Sequence, residues 1–298
     1  MACEVTRVFA LLSLLQVVCL AQQKSDQPCG KVLGNVNTFA AVYYDEQSLA
    51  SLGKFDMVVL DPANYTSAEI GELKSKGCIP IAYLNIGEVE TYRSYFTLAD
   101  TDLFLSPDPY WRNRYYADLC NPVWQKVVLE DRIPHILKKG YCGLFIDLSD
   151  FLREYPRMSD CAVSLIGKIR QRAGDSYLVL DGGLSILDKV GNEIDGVAVE
   201  GLMGLYDFNS DKYEIRPDST EDRETSVLLK AAKKYRIKIF QLDYAAPSDT
   251  TVRNGIILQA RRLGFVPYVG TVELDTLFLN TVQGIRLTPV VKKNPFPD

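Results

Sequence analysis

The chain has 298 residues, of which 47% are hydrophobic and 24% charged, a composition that fits a globular protein and excludes a disordered one. That length suits one large domain or two small ones. The formal net charge of −5 argues against a nucleic-acid partner, because proteins that bind a phosphate backbone need a positive surface to displace its counterions.

The N-terminus has the pattern of a secretory signal peptide. Arg7 precedes an apolar run at 8–20, and small residues at the end of that run favour cleavage after Ala21. The run is shorter than the ~20 apolar residues that a membrane-spanning helix needs, and the C-terminus lacks the apolar tail of a lipid-anchor signal. We therefore expect a secreted, extracellular protein without a membrane anchor. The sequon that begins at Asn64 is then a candidate for N-glycosylation on a surface loop.

Eight short runs rich in Val, Ile, Leu and aromatic residues predict buried parallel strands, because longer amphipathic stretches separate them. The predicted strands are 39–44, 57–60, 80–86, 143–146, 177–180, 196–199, 238–242 and 265–269. We expect them to form one domain at 37–284, preceded by the signal peptide at 1–21 and a polar leader at 22–36, and followed by a tail at 285–298.

Helical periodicity lies between these strands. Apolar residues recur at helical spacing in 67–76 and 125–139, and Gly77, Gly140 and Gly264 each stand just before a predicted strand, as residues that end helices do. The repeated order helix, glycine, strand favours βαβ units, so the sequence predicts an α/β protein with a single-domain (β/α)8 TIM barrel. A doubly wound open sheet is the alternative, but no glycine-rich phosphate-binding motif opens a helix in this sequence.

Carboxylates follow six of the predicted strands. In a barrel the carboxyl ends of all strands meet at one face, where active sites are built. A carboxylate at a strand end can also cap the next helix, which accounts for any one of the six but not for all of them. These residues are Asp61, Glu88, Asp147, Asp181, Glu200 and Asp243.

Crowded carboxyl groups indicate hydrolysis of a glycosidic bond. One carboxyl group donates a proton to the leaving oxygen, and a second attacks the anomeric carbon or activates water. Crowding raises one of the two pKa values, which makes that group an acid near neutral pH. No metal or cofactor is required. Tyrosines near the strand ends can stack on sugar rings or simply pack inside the barrel.

Five cysteines remain after removal of the signal peptide, and the sequence leaves their pairing open. An odd number in an oxidising compartment leaves at least one thiol unpaired or bonded to another molecule. The single histidine, His135, lies in a predicted helix, so we expect neither a zinc site nor a Ser/His/Asp triad. The cysteines are Cys29, Cys78, Cys120, Cys142 and Cys161.

The segment AYLNIGEVETYR at 82–93 resembles the strand-three signature of glycoside hydrolase family 114, which comprises endo-α-1,4-polygalactosaminidases and related barrels. Further matches are NPVWQ at 121–125, GLFIDLSD at 143–150, DGVAVE at 195–200 and FVPYV at 265–269. The resemblance implies a TIM-barrel glycosidase that acts on an amino-sugar polysaccharide.

The resemblance also implies roles for two carboxylates. Asp147 would be the nucleophile and Glu200 the general acid/base of a retaining mechanism. The sequence departs from the family pattern where Gly201 follows the glutamate and where Asp181 and two glycines end the fifth strand. These departures leave room for a related amino-sugar or uronic-acid polymer.

An acidic active-site face suits a polymer of deacetylated galactosamine, because carboxylates would neutralise its ammonium groups. Arg93 is expected to pair with a neighbouring carboxylate. The residues predicted to bind the substrate are Tyr44, Asp61, Tyr83, Glu88, Glu90, Tyr92, Arg93, Asp150, Asp181, Asp243, Tyr244 and Tyr268.

Two other functions fit parts of the pattern. A barrel that kept the fold but lost catalysis would be a secreted lectin, although retention of both Asp147 and Glu200 counts against it. Polysaccharide deacetylation normally uses an Asp/His/His metal site, which one histidine cannot supply. We expect a monomeric enzyme that uses no cofactor.

Overall fold

The computed structural model describes residues 32–43, 47–98, 103–149, 151–216 and 223–279. The strands are β1 (Phe39–Val42), β2 (Met57–Leu60), β3 (Ile79–Asn85), β4 (Glu88–Glu90), β5 (Phe104–Pro107), β6 (Arg114–Ala117), β7 (Gly143–Leu148), β8 (Tyr177–Gly182), β9 (Gly196–Glu200), β10 (Gly204–Asp207), β11 (Lys212–Ile215), β12 (Lys238–Tyr244) and β13 (Val266–Gly270). The helices are α1 (Leu49–Leu52), α2 (Ser67–Ser75), α3 (Pro122–Lys126), α4 (Ile133–Lys138), α5 (Phe151–Glu154), α6 (Ser159–Ala173), α7 (Leu187–Val190), α8 (Arg223–Tyr235) and α9 (Thr250–Leu263).

Eight of the strands form one parallel sheet in the order β1-β2-β3-β7-β8-β9-β12-β13. The first and last strands lie side by side, and the ring of Phe39 in β1 is 6.0 Å from the ring of Tyr268 in β13. The sheet is therefore a nearly closed barrel, and the predicted (β/α)8 fold is confirmed. Each of the eight predicted strands overlaps one of these barrel strands.

The barrel strands are buried on both faces. β1, β2 and β3 are buried at every position, which is the pattern of a parallel sheet whose outer face is covered by helices. Inside the barrel the ring of Phe39 also packs edge-on against Phe240, with the ring centres 5.2 Å apart. Side chains thus fill this part of the interior.

The predicted helices are present, and residues typical of helix ends flank them. Thr66 and Glu69 make a reciprocal capping box at the start of α2, and Gly77 follows the helix with a φ of 79°. The predicted helix at 125–139 is present from Pro122 to Lys138, but a π-helical segment at Val127–Arg132 joins α3 to α4. Pro134 has no N–H for a regular helical bond, which accounts for the irregular turn before it.

Two small antiparallel sheets extend the loops at the carboxyl ends of the barrel strands. β4, β6 and β5 form one of them after β3, and β10 pairs with β11 after β9. Neither sheet was predicted from the sequence. Both β5 and β11 have only four residues, and neither was among the apolar runs identified in the sequence.

A disulfide joins Cys120, just before α3, to Cys161 in α6. Cys142 is also disulfide-bonded, and the thiol of buried Cys78 lies 4.0 Å from the carbonyl of Leu52. Within the described ranges no helix is both long and apolar enough to cross a membrane. The predicted signal peptide, the start of the leader, Cys29 and the predicted tail lie outside the described residues.

Candidate active site

A cavity of about 980 Å³ lies at the carboxyl ends of the barrel strands. Five different strands each place a polar side chain in its wall, as the barrel fold predicts. These residues are Tyr83 in β3, Asp147 in β7, Asp181 in β8, Glu200 in β9 and Tyr244 in β12.

The carboxylate of Asp147 is held by three hydrogen-bond donors. The Tyr83 hydroxyl donates to Oδ2 at 2.7 Å, and the backbone N–H and hydroxyl of Ser149 donate to Oδ1 at 3.0 and 2.8 Å. An aspartate that accepts from the N–H two residues further on forms a common turn at the end of a strand. Both oxygens of Asp147 therefore have a fixed position and act as acceptors.

The turn that carries Ser149 reaches β8 because residue 182 is glycine. Gly182 has a φ of 73°, and a Cβ atom at that position would lie 2.6 Å from the Cα atom of Ser149. Any side chain would push the turn away from β8. The close approach leaves the Ser149 hydroxyl between two carboxyl groups, 2.8 Å from Asp147 and 3.3 Å from Asp181.

Asp181 lies between the two predicted catalytic carboxylates. It is 0% exposed, pairs in register with Asp147 of β7, and is hydrogen-bonded to Glu200 of β9. Burial raises the pKa of Asp181 well above its ordinary value, and the charges of Glu200 and Asp147 raise it further. Because two carboxyl groups can hydrogen-bond only through a proton, this arrangement requires Asp181 or Glu200 to carry one.

Tyr244 holds the other side of Glu200. Its hydroxyl donates to Glu200 Oε2 from the last residue of β12. Burial raises the pKa of Tyr244 well above its ordinary value, and the nearby Glu200 raises it further, so the phenol remains a donor. Glu200 is thus in contact with a tyrosine on one side and with Asp181 on the other.

A buried chain of hydrogen bonds leads from Asp147 to Glu88. The amide nitrogen of Asn85 donates to the Tyr83 hydroxyl at 3.2 Å and to Glu88 Oε2 at 2.7 Å. Burial raises the pKa of Glu88 to about 9, and a hydrogen bond to Asp108 adds to the rise. Arg114, 3.2 Å from Glu88, lowers this pKa but does not cancel the effect of burial. Glu88 is therefore neutral at physiological pH.

The remaining charged residues of the 82–93 segment form an ion-pair cluster beside the cavity. Arg93 lies 2.6 Å from Asp61 and 2.9 Å from Glu90, so it pairs with neighbouring carboxylates as expected. Burial raises the pKa of Glu90, but Arg93 and Arg132 outweigh that effect and the net pKa is low. The Tyr92 hydroxyl also donates to Glu90. Asp61, Glu90, Tyr92 and Arg93 are not among the described residues of the cavity wall.

Two more predicted substrate contacts lie away from the cavity. Asp243 is fully buried and accepts the backbone N–H groups of Met203 at 2.8 Å and Gly204 at 3.0 Å, and burial raises its pKa to about 6. The Tyr268 hydroxyl bonds backbone groups of the segment after β13. Their partners are protein groups, and neither residue is among the described residues of the cavity wall.

Three further predicted residues are not part of the described cavity wall. Tyr44 and Asp150 lie outside the described residues. Asn64 is on the loop between β2 and α2, where it is half-buried and its amide nitrogen donates to the carbonyl of Tyr43 at 3.0 Å. Its glycosylation stays a prediction.

The structure also brings to the site residues that the sequence reasoning did not single out. Ser149 and Asn85 position Asp147 directly or through Tyr83. The spacing of Asp147 and Ser149 just after a strand is a signal that could have indicated the turn. Across the described ranges, no group of three or more histidine, cysteine or carboxylate side chains is arranged to hold a metal ion.

Comparison with known proteins gives two similarities of sequence and two of structure. The sequence model of glycoside-hydrolase family GH114 matches residues 20–285. An uncharacterized protein of Methanocaldococcus jannaschii is 27% identical over 263 residues, which cover 76% of this chain and 73% of that protein.

Two solved structures share the fold. The glycoside hydrolase domain of PelA from Pseudomonas aeruginosa superposes with a TM-score of 0.74 and 26% identity, and the match covers 82% of this chain and 98% of that domain. Ega3 of Aspergillus fumigatus, solved with galactosamine, gives a TM-score of 0.65 at 13% identity over 82% of this chain and 94% of that one. At that identity the second similarity is one of fold alone.

Proposed function

Since this chain belongs to glycoside hydrolase family GH114 and is a glycosidase, we propose that it cleaves α-1,4-linked galactosamine-type polysaccharide with Asp147 and Glu200 as its catalytic carboxyl groups. The observation that carries the proposal is their placement. Both line one cavity at the ends of β7 and β9, and both interact with Asp181 on the strand between them.

Asp147 is the proposed nucleophile. Its three hydrogen-bond donors hold both oxygens, so attack on the anomeric carbon needs little reorganisation of the carboxylate. The same donors help to accommodate the carboxylate when it leaves in the second step. Tyr83 and Ser149 are therefore positioning residues in this mechanism.

Glu200 is the proposed general acid and base. In the first step it donates a proton to the leaving glycosidic oxygen, and in the second it takes a proton from the water that attacks the glycosyl-enzyme bond. The proton in the hydrogen bond between Asp181 and Glu200 can supply the acid form of Glu200. We propose a retaining mechanism with Asp147 as the nucleophile, for which the two carboxyl groups must lie ~5 to 5.5 Å apart.

The substrate class rests on two supports. Ega3 is described in complex with galactosamine, and this chain shares its fold. The cavity wall also carries more carboxylates than arginines, which favours a sugar with ammonium groups over an anionic polymer. An N-acetylated or anionic polymer would meet the same carboxylates without this attraction.

We also propose that the protein is secreted. The apolar run at 8–20 has the features of a signal peptide. The disulfide between Cys120 and Cys161 supports an oxidising compartment outside the cytosol. A polysaccharide substrate outside the cell would be consistent with both.

The test is incubation of the mature protein with partly deacetylated galactosamine polymer, followed by mass spectrometry of the products. Asp147→Asn and Glu200→Gln are matched controls, because each keeps the shape of the side chain and removes its carboxyl group. We expect oligosaccharides from the unmodified protein alone. Proton NMR of the first products should show retained α configuration at the new reducing end.

Three outcomes would contradict parts of this proposal. Binding without products would favour the lectin alternative for this polymer, and no binding would refute the substrate class. Faster cleavage of the fully acetylated polymer would refute the electrostatic reasoning. Inverted products would leave Asp147 as a base that activates water instead of a nucleophile.

A further inference from the structure

Three aromatic side chains meet at the rim of the cavity, and the proposed chemistry does not use them. Tyr110 and Trp111 lie in the turn between β5 and β6, and Phe208 lies at the tip of the β10–β11 hairpin. The ring of Phe208 is 5.0 Å from that of Tyr110 and 5.6 Å from that of Trp111. We call these three residues the aromatic arch, because they connect two hairpins that follow different barrel strands.

The arch is exposed and yet belongs to the cavity. Tyr110 is 47% and Phe208 39% exposed, and all three arch residues line the cavity that also contains Asp147 and Glu200. A single exposed aromatic ring is ordinary on a protein surface. A cluster of such rings in the wall of a cleft is typical of a surface that a ligand covers.

The arch is held in place before any ligand arrives. Asp108 accepts the backbone N–H groups of Tyr110 at 2.6 Å and Trp111 at 3.0 Å, which fixes the turn of the first hairpin. On the second hairpin the ring of Tyr206 packs edge-on against Phe208 at 5.1 Å. Because these rings are already ordered, a ligand that stacks on them loses little free energy to side-chain ordering.

We propose that the aromatic arch is an outer subsite for the polysaccharide, where the ring faces of Tyr110 and Phe208 stack on sugar units beyond the two joined by the cleaved bond. One face of a pyranose ring carries mainly C–H groups, and a flat aromatic face buries them well. The subsite rests on the polysaccharide substrate class of the proposed function.

The geometry favours the same polymer chain as the occupant. The extended strand from Gly204 to Phe208 carries the ring roughly 13 Å away from the base of the hairpin. The arch, Asp147 and Glu200 line the same cavity, so a sugar chain bound between the two carboxylates can extend to the arch. Asp207 and Glu214 of the same hairpin also line the cavity, where they face a polymer that carries ammonium groups. The arch would thus make the enzyme prefer long chains to short ones.

Substitution of Phe208 separates stacking from simple packing. Phe208→Leu keeps an apolar side chain between the hairpins but removes the flat face, whereas Phe208→Tyr keeps the face. Ile215→Ala is the matched control, because Ile215 is 53% exposed on the same hairpin and is not among the described residues that line the cavity. The measurement is kcat/KM on the long, partly deacetylated galactosamine polymer, divided by kcat/KM on a short oligosaccharide prepared from it.

We expect Phe208→Leu to lower this ratio about tenfold, which corresponds to the loss of one good stacking contact. Phe208→Tyr and Ile215→Ala should keep the ratio of the unmodified protein. If Phe208→Leu also keeps that ratio, the arch only packs the hairpins together and the proposal is refuted, whatever the variant does to the melting temperature.

Binding measured without turnover keeps the two proposals distinguishable. In affinity electrophoresis through gels that contain the polymer, Phe208→Leu should be retarded less than the unmodified protein and Phe208→Tyr equally. If no protein cleaves the polymer but this order of retardation is found, the catalytic proposal fails and the subsite stands. Equal retardation of Phe208→Leu and the unmodified protein would overturn the subsite in either case.

Discussion

Asp181→Asn tests whether a shared proton supplies the acid form of Glu200. The substitution keeps the shape of the side chain and its contact with Ser149, and it removes one of the two carboxyl groups that share the proton. In the unmodified protein, loss of that last proton leaves two negative charges side by side. In the variant the same step leaves only one charge.

The size of the effect follows from the repulsion that is removed. Two unit charges ~4 Å apart repel by about 4 kcal/mol at an effective dielectric constant of ~20. At about 1.4 kcal/mol per pKa unit this corresponds to an upper limit of about 3 units. The pKa that governs loss of the acid form should therefore fall by about one to three units in the variant.

The assay is the pH dependence of kcat/KM. The fall in kcat/KM at high pH, the basic limb, gives the pKa of the essential acid. We expect this limb to move to lower pH in Asp181→Asn. Asp243→Asn is the matched control, because Asp243 is an equally buried aspartate that does not belong to the described cavity wall. Infrared spectra should also show loss of a protonated carboxyl band at neutral pH in Asp181→Asn, even if the variant is inactive. An unchanged basic limb together with an unchanged infrared band would refute the shared proton.

Three further substitutions have defined outcomes. Glu88 has a folded pKa of about 9 against an ordinary 4.5, so the protein should lose stability as pH rises between these values. Glu88→Gln should therefore gain about 3 kcal/mol relative to the unmodified protein between about pH 5.5 and 7.5 in urea unfolding, and a constant difference would contradict the raised pKa. Tyr83→Phe removes a hydroxyl that donates to Asp147 at 2.7 Å and should lower kcat about 10- to 100-fold in steady-state kinetics. A loss below about twofold would mean that this donor does not position the carboxylate. Cys161→Ser opens a loop with a sequence separation of 41 and should lower the free energy of unfolding by about 3 to 4 kcal/mol, whereas a change below about 1 kcal/mol would contradict the chain-entropy reasoning.

The barrel itself could be predicted because its signals are local. A buried parallel strand is a short apolar run, and glycines such as Gly77 and Gly264 mark the helix ends with positive φ angles of 79° and 82°. The hairpins β5–β6 and β10–β11 have no such signal, since each of their strands has only four residues and β5, β10 and β11 are largely half-buried or exposed. The aromatic arch was therefore not predicted.

The sequence also could not show which of the six carboxylates face the cavity. The sequence places Asp243 directly after a predicted strand, just as it places Asp147. In the structure both belong to strands, and alternate side chains of a strand point to opposite faces. Tyr244 lines the cavity, so its neighbour Asp243 points elsewhere and bonds the backbone at Met203 and Gly204. Only the direction of each side chain in the folded barrel separates the two.

The sequence by itself determined the (β/α)8 fold, the face on which the carboxylates gather and the resemblance to a glycosidase family, because these depend on periodicity and on motifs that lie within one segment. Tertiary structure decided which residues meet. It placed Asp181 between Asp147 and Glu200, brought Asp61 to Arg93, and joined two hairpins above the cavity. Each of these contacts connects elements whose separation in space is set by strand register and close packing, which no local pattern encodes.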